Sequence, residues 1–360
     1  MSTHGPRNAK VLIKRCIEVG RPVMLWSGPG IGKSELIAQI AMEQGRPVID
    51  MRLSQMEPSD LLGLPIIDKG GDLTKWAPPS ILPSATNCPN AVLFLDEINS
   101  APPSVQAAAY QLVLNRRVGT YVLPDTVSVV CAGNRDSDKG VTYRMPTPLA
   151  NRLVHIEMQV VFDDWKEWAI YNKVHADVVG FLCQHKHKLC NFDPKSPDKA
   201  FATPRSWVFV SQLISDALTA EQNTSLVAGT VGEGLAVEFA AHCKATSKLP
   251  SPESILTGKE LKLADGVEPS SMYSLTLSLC YTLSEWCEKA KQGVDNLDMG
   301  IWHKYVDNFF NFMLSNFQAE MSILGARTAL KDYKLPIDHR KLQNFAEFNK
   351  RYGKFLVGAG

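Results

Sequence analysis

No stretch of the 360 residues approaches the roughly twenty consecutive apolar residues that a membrane helix needs, so a membrane-spanning role is not expected. Neither sign of charge is in excess: 38 Lys and Arg stand against 37 Asp and Glu, a formal net charge of +1. A neutral total leaves no chain-wide electrostatic footprint for nucleic acid, which is therefore not an expected partner. Low-complexity and acidic runs are missing. With 45% hydrophobic and 21% charged residues, the composition is globular rather than disordered. The first ten residues are polar and lack the apolar stretch of an export signal, which leads to the expectation of a cytoplasmic protein. In that setting the eight cysteines read as reduced thiols, not as a disulfide framework. A chain of this length has room for two or three domains with real cores.

What is present is more specific. Ser27-Gly28-Pro29-Gly30-Ile31-Gly32-Lys33-Ser34 follows the apolar run Val23-Met24-Leu25-Trp26 and precedes a helical pattern from Glu35 to Ala41. Strand, glycine-rich turn and helix is the order a phosphate-binding loop needs. Backbone N–H groups of the turn and the positive end of the helix converge on an anion. Gly28, Pro29, Gly30, Ile31, Gly32, Lys33, Ser34 and Glu35 are therefore candidate nucleotide-binding residues. Lys33 can reach the β- and γ-phosphates, and the Ser34 hydroxyl can ligate Mg²⁺. The pattern G-x-x-x-x-G-K-[ST] would have a glycine at position 27, where this chain has the small, turn-tolerant serine.

The first half alternates short apolar runs with helical patterns, which predicts an α/β fold with a parallel sheet. A helix is expected over Ala9–Val19 and a second strand over Val48–Met51. Leu61 to Trp76 reads as a β-hairpin around the Gly70-Gly71 tip. Ala91 to Leu95 reads as a strand buried on both faces and ends in Asp96-Glu97, where ligand sites of α/β sheets form. Asp96 can hold Mg²⁺, and Glu97 can orient or deprotonate an attacking water. A helix follows over Val105–Asn115, and then a strand from Thr126 to Ala132 that ends in Gly133-Asn134. The Asn134 amide there could bond both the water and a γ-phosphate, or be an ordinary turn asparagine.

The runs SGPGIGKS, LFLDEIN, VCAGN, PLANRL and ATPRSW, in this order, resemble AAA+ ATPases. PSDLLGLP and APPSVQAAAYQLVLNRRVGTYVLP narrow the resemblance to the MoxR branch. It covers roughly residues 8–215. It implies a P-loop NTPase parallel-sheet core over residues 1–158, an all-α lid over 159–247 and a C-terminal helical extension over 248–360. It matches Lys33 and Ser34 to the Walker A motif, Asp96 and Glu97 to Walker B, and Asn134 to sensor 1. Arg152 matches the arginine finger that reaches a neighbouring subunit's γ-phosphate, with Arg144 or Arg135 as alternatives. Arg205 matches sensor 2, acting from the lid. An arginine in trans is worth about 10³–10⁵ in rate in related systems, so the resemblance implies a ring, usually of six. The hairpin corresponds to the helix-2 insert. Implied cofactors are ATP and Mg²⁺. Implied partners are further copies of the chain and a protein client reached through a von Willebrand factor A-type adaptor.

From Ile156 to about Ala245 the spacing reads as helical, including Val178–Leu189 and Trp207–Leu218. Cys183, His187 and Cys190 would adjoin one face there. Their spacing matches no usual zinc site, and buried cysteines account for them as well. After the break at Pro250-Ser251-Pro252, helices are expected over Met272–Ala290, Ile301–Leu314 and Ala319–Leu330, with an aromatic core. Three functions follow: an ATP-hydrolysing ring that remodels a partner protein, with a nucleic-acid motor and a nucleotide-gated scaffold as alternatives. Neutral charge counts against the motor, and the pairing of Glu97 with Asn134 counts against the scaffold.

Overall fold

The computed structural model describes residues 2–67, 74–138, 143, 145–260, 262–264, 266–337 and 342–357. The chain forms two compact units, Met1–Asp164 with Asp193–Ser196, and Trp165–Phe192 with Pro197–Gly360.

The first unit contains strands β1 (Thr3–His4), β2 (Val23–Trp26), β3 (Val48–Arg52), β4 (Leu64–Ile67), β5 (Thr74–Ala77), β6 (Val92–Asp96), β7 (Arg117–Val118), β8 (Tyr121–Val122), β9 (Ser128–Gly133) and β10 (Val154–Met158). Six of them form one sheet in the order β1-β10-β2-β9-β6-β3, and every pair in it is parallel. The apolar runs in β2, β6 and β9 are what a sheet covered on both faces requires. Successive side chains point to opposite faces, and the two cores record this alternation. Val23, Leu25, Val92 and Phe94 pack with helices α1 (Pro6–Glu18) and α2 (Lys33–Glu43). Met24, Leu93, Leu95 and Cys131 pack on the other face with Val105, Ala109 and Leu112. Short helix α3 (Ser59–Leu62) precedes the β4–β5 hairpin, and the last three of those apolar residues come from α4 (Pro103–Asn115). Fully burying such side chains contributes about 1.5–3 kcal/mol each.

The β4–β5 hairpin is antiparallel, pairing Leu64 with Ala77 and Ile67 with Thr74. Its expected Gly70-Gly71 tip lies outside the described residues. At its root Gly63 has φ +84°, and a Cβ there would stand 2.0 Å from the Ala77 carbonyl oxygen. Only glycine fits that close crossing. Leu64, Ile66 and Ile67 are exposed, Ile67 to 72%.

Short helix α5 (Thr147–Ala150) leads into β10, and the unit boundary falls within α6 (Phe162–Tyr171). The second unit continues with α7 (Ala176–Gln184), α8 (Pro204–Leu213), α9 (Ala220–Val231), α10 (Glu233–Thr246), α11 (Pro252–Leu256), α12 (Pro269–Gln292), α13 (Met299–Asn316), α14 (Ala319–Arg327) and α15 (Gln343–Val357). Phe181, Trp207 and Phe239 meet in tilted and edge-to-face contacts among α7, α8 and α10. Trp302, Phe309, Phe310 and Phe348 fill a second core with Leu279 and Leu283 of α12. The aromatic load of the C-terminal half is packing.

Three expectations are corrected. The helix expected over Trp207–Leu218 stops at Leu213, because Ile214 turns to extended backbone at φ −66° and ψ 136°. The helical reading from Ile156 onward fails at its start, because Val154–Met158 is β10, inserted between β1 and β2. The alternation His155, Ile156, Glu157, Met158 buries Ile156 and Met158, a period of two too short to stand out beside the helical spacing that follows. The expected helix Val178–Leu189 stops at Gln184. His185 leaves helical geometry at φ −118° and ψ 56°, and a separate 3₁₀ turn covers Lys186–Leu189. Cys183 and His187 therefore do not share a helix face. Among the described residues no helix is long and apolar enough to cross a membrane.

Candidate active site

The loop Ser27–Gly32 leaves the C-terminal end of β2 at the middle of the sheet. Ser27 is fully buried, its N–H donates to the Gly133 carbonyl at 3.4 Å and its hydroxyl donates to the Gly28 carbonyl at 3.1 Å. The serine found in place of the expected glycine is thus accommodated, fully buried, as part of the loop's own bonding. Gly32, at φ 94°, forms the N-cap of α2. The first intrahelical bond runs from Leu36 N to Gly32 O, so the amides of Lys33, Ser34 and Glu35 come before it and face the loop end. The Glu35 side chain is exposed and accepts a bond from Gln39 Nε2 at 3.1 Å; its candidate contribution is the backbone amide. Lys33 Nζ turns back over the loop and donates to Ser27 O at 3.3 Å, Gly28 O at 3.4 Å and Asn134 Oδ1 at 3.1 Å.

Ser34 Oγ reaches Asp96 Oδ2 at 3.4 Å across neighbouring elements. Asp96 is buried at the end of β6 and accepts the Glu97 N–H at 2.8 Å. Glu97 sits at φ 57°, a left-handed conformation that turns the chain sharply off the strand. Its carboxylate accepts a hydrogen bond from the Ser54 hydroxyl. Nearby, the Asp50 carboxyl is pushed above its ordinary range, by burial first and then by the charge of Asp96.

Asn134 follows β9 and is clamped through its backbone. Asn99, 1% exposed, donates from Nδ2 to Asn134 O at 2.8 Å and accepts the Asn134 N–H on Oδ1 at 3.2 Å. Ile98 N also bonds Ala132 O at 3.0 Å. The turn after Asp96-Glu97 thus continues the β6–β9 ladder with a side-chain amide and fixes the Asn134 side chain beside Lys33. Neither Asn99 nor Ser54 was assigned a role from sequence. Asn99 lies in the quoted LFLDEIN run, while Ser54 carries no local signal at all.

The first unit therefore gathers Lys33, Ser34, Asp96, Glu97 and Asn134 at the C-terminal ends of β2, β6 and β9. It does not bring Arg152 to them. Arg152 is exposed and precedes β10, whose Val154 pairs with Val23 at the start of β2. It stands at the opposite end of the sheet from its own loop. Arg135 instead lies against that loop: its Nη2 is 3.2 Å from where a Cβ on Gly28 would be. It bonds Asp138 at 3.2 Å and Glu157 at 3.5 Å. Burial works against its charge and those carboxylates more than offset it, leaving the guanidinium above its usual range. Arg144 lies outside the described residues. Arg205 is exposed in the first turn of α8 in the second unit, where Thr203 and Ser206 form a capping box.

These residues fit a nucleotide and a divalent cation. The amides of Lys33–Glu35 and the Lys33 ammonium offer a cluster of donors aimed at one anion-sized space. Ser34 and Asp96 supply the hydroxyl and carboxylate oxygens that hard cations prefer, and a cation there would relieve the repulsion felt by Asp50.

Residues 22–149 match the family described as AAA domain (dynein-related subfamily). A 168-residue stretch is 27% identical to midasin of Giardia intestinalis, covering 44% of this chain and 3% of that protein. A 98-residue stretch is 30% identical to the protein CbbQ of Hydrogenophilus thermoluteolus, covering 27% of this chain and 35% of CbbQ. The chain thus spans only a small part of the curated relatives it matches. A solved structure of a candidate ATPase from Cytophaga hutchinsonii aligns with a TM-score of 0.35 at 13% identity, over 97% of this chain and 90% of the other.

Proposed function

From the premise that residues 22–149 are an AAA domain with the P-loop NTPase fold, we propose that this chain is a Mg²⁺-dependent ATPase of the MoxR type. It assembles with further copies into a ring, of six in the commonest arrangement, and remodels a partner protein through a von Willebrand factor A-type adaptor. The observation that carries the reading is the convergence of Lys33, Ser34, Asp96, Glu97 and Asn134 on one loop end.

In this reading the amides of residues 33–35 and the Lys33 ammonium bind and orient the β- and γ-phosphates. Mg²⁺, held by Ser34 and Asp96, would neutralise charge between those phosphates. Glu97 takes the proton of the attacking water, and Ser54 keeps its carboxylate aimed. Asn134 releases Lys33 to the phosphate and holds the water in line. Arg152, remote from its own loop, serves the loop of an adjoining copy, and Arg205 acts from the helical half. Residues 159–247 are the lid and 248–360 the extension. The exposed Leu64, Ile66 and Ile67 support a partner-contacting role for the hairpin, since contiguous exposed apolar surface marks interaction sites.

Glu97→Gln tests the core of this reading. The variant should bind ATP with unchanged affinity and lose at least about 10²-fold in turnover, the scale of a missing general base. Turnover at the parent rate would remove Glu97 from the site. The same variant, loaded with ATP, should retain its client; recovery of clients without any A-type-domain protein would remove the adaptor from the proposal.

A further inference from the structure

A cavity of about 610 Å³ opens at the N-terminal end of the sheet, lined among others by Arg21, Arg116 and Arg152. No Asp or Glu lines it. The three arginines are not equivalent. Arg116 is committed within its own unit, donating from Nη2 to Pro124 O at 2.5 Å and Val127 O at 2.8 Å. Arg21 and Arg152 are exposed, and among the described residues no ion pair or side-chain hydrogen bond engages either of them. Their adjacency is built into the sheet. Val23 of β2 and Val154 of β10 are register partners, Val154 N bonds Pro22 O at 3.0 Å, and each arginine stands two residues before its register partner. Neighbouring strands run about 4.8 Å apart. Both arginines line one cavity, with no carboxylate pairing them among the described residues; like charges on neighbouring strands cost stability, and an anion bridging both would relieve it. Paired planar donors of this kind suit a phosphate oxygen set. The anion cannot be the nucleotide on the chain's own loop: Ser27 lies six residue steps beyond Arg21, about 20 Å in extended chain.

Building on the ring reading above, we propose that Arg21 and Arg152 form one anion-binding pair for a phosphate group presented by a second copy of the chain. Arg21 is then a second arginine acting in trans on the nucleotide of that copy.

The test uses mixed rings of the full chain. Arg21→Ala should lose roughly 10²-fold in turnover, the scale of one lost transition-state donor, with ATP affinity unchanged. Arg21→Lys should recover only part of it, because an ammonium cannot reproduce the fork. Mixing Arg21→Ala with Lys33→Ala chains should restore turnover, since the intact loop of one then meets the intact Arg21 of the other. Arg152→Ala with Lys33→Ala is the reference mixture. If that reference recovers and the Arg21 mixture does not, or if Arg21→Ala turns over at the parent rate, the Arg21 assignment is overturned while the ring reading stands. If neither mixture recovers in well-formed rings, both fall. Free tripolyphosphate provides the remaining arm. If it binds Lys33→Ala, fails to bind Lys33→Ala/Arg21→Ala, and Arg21→Ala keeps full turnover, the cavity holds a free anion and the trans assignment is wrong.

Discussion

Replacing Asn99 with alanine isolates the clamp on Asn134 from the chemistry itself. The Asn99 amide is buried and makes two hydrogen bonds to the Asn134 backbone at 2.8 and 3.2 Å. It lies so close on the strand end that a Cβ on Gly133 would stand 2.3 Å from its Oδ1. Alanine therefore orphans one donor and one acceptor, at about 1–3 kcal/mol each, for a total of about 2–6 kcal/mol. For a unit of this size that corresponds to a fall in Tm of about 4–24 °C. Freed from the ladder, Asn134 drifts from Lys33, and misplacement by about 1 Å costs on the order of 10²-fold in rate. Asn99→Asp sharpens the case. It keeps an acceptor for the Asn134 N–H but sets a carboxylate against the Asn134 carbonyl, so turnover should fall at least as far. Thermal unfolding, ATP affinity and steady-state hydrolysis are measured on the same preparations. A lowered Tm with turnover within about twofold of the parent would refute the reasoning, since Asn134 would then be positioned by something other than Asn99.

Hairpin chemistry should separate from hydrolysis: Ile66→Asp, at an exposed position, should leave stability within about 0.5 kcal/mol and basal turnover intact while abolishing partner-dependent activity. Gly63→Ala, whose Cβ meets the Ala77 carbonyl, should produce the same loss together with protease cleavage between Leu64 and Ala77; a protected hairpin in that variant would contradict the geometry. In the second unit, burial lowers the His242 pKa from 6.5 to about 4, and its ring meets Ser274 Oγ at 3.0 Å. The folded state resists protonation more than the unfolded chain does, so stability is complete above pH 6.5 and declines toward pH 4, by about 3 kcal/mol. His242→Gln should flatten that decline, and parallel curves for the two proteins would exclude His242 as its source.

What could be read from the sequence, and what could not, follows from where each constraint acts. Lys33 and Ser34 must follow a tight glycine turn at fixed spacing because the phosphates are held by consecutive amides, so the loop is written in one short run of chain. The same holds for Asp96-Glu97, which needs only a buried strand that ends in acids. Asn99 and Ser54 owe their roles to partners across the sheet, Asn134 and Glu97, 35 and 43 residues away. Nothing local distinguishes them from turn residues. β10 was hidden for a related reason: a five-residue strand with half-buried His155 and Glu157 offers too few alternations to outweigh the helices beyond it. That missed strand matters most for the arginines. Without β10 beside β2, Arg152 is only a residue in a motif; with it, the register sets Arg152 next to Arg21 and at the far end of the sheet from Ser27. The two arginines there, unpaired among the described residues, are too far to serve the chain's own loop, and under the proposal above they serve another's. In the proposed ring, a hydrolytic site divided between the two ends of one parallel sheet is complete only when copies meet end to loop, and assembly is then the step through which a partner would control turnover.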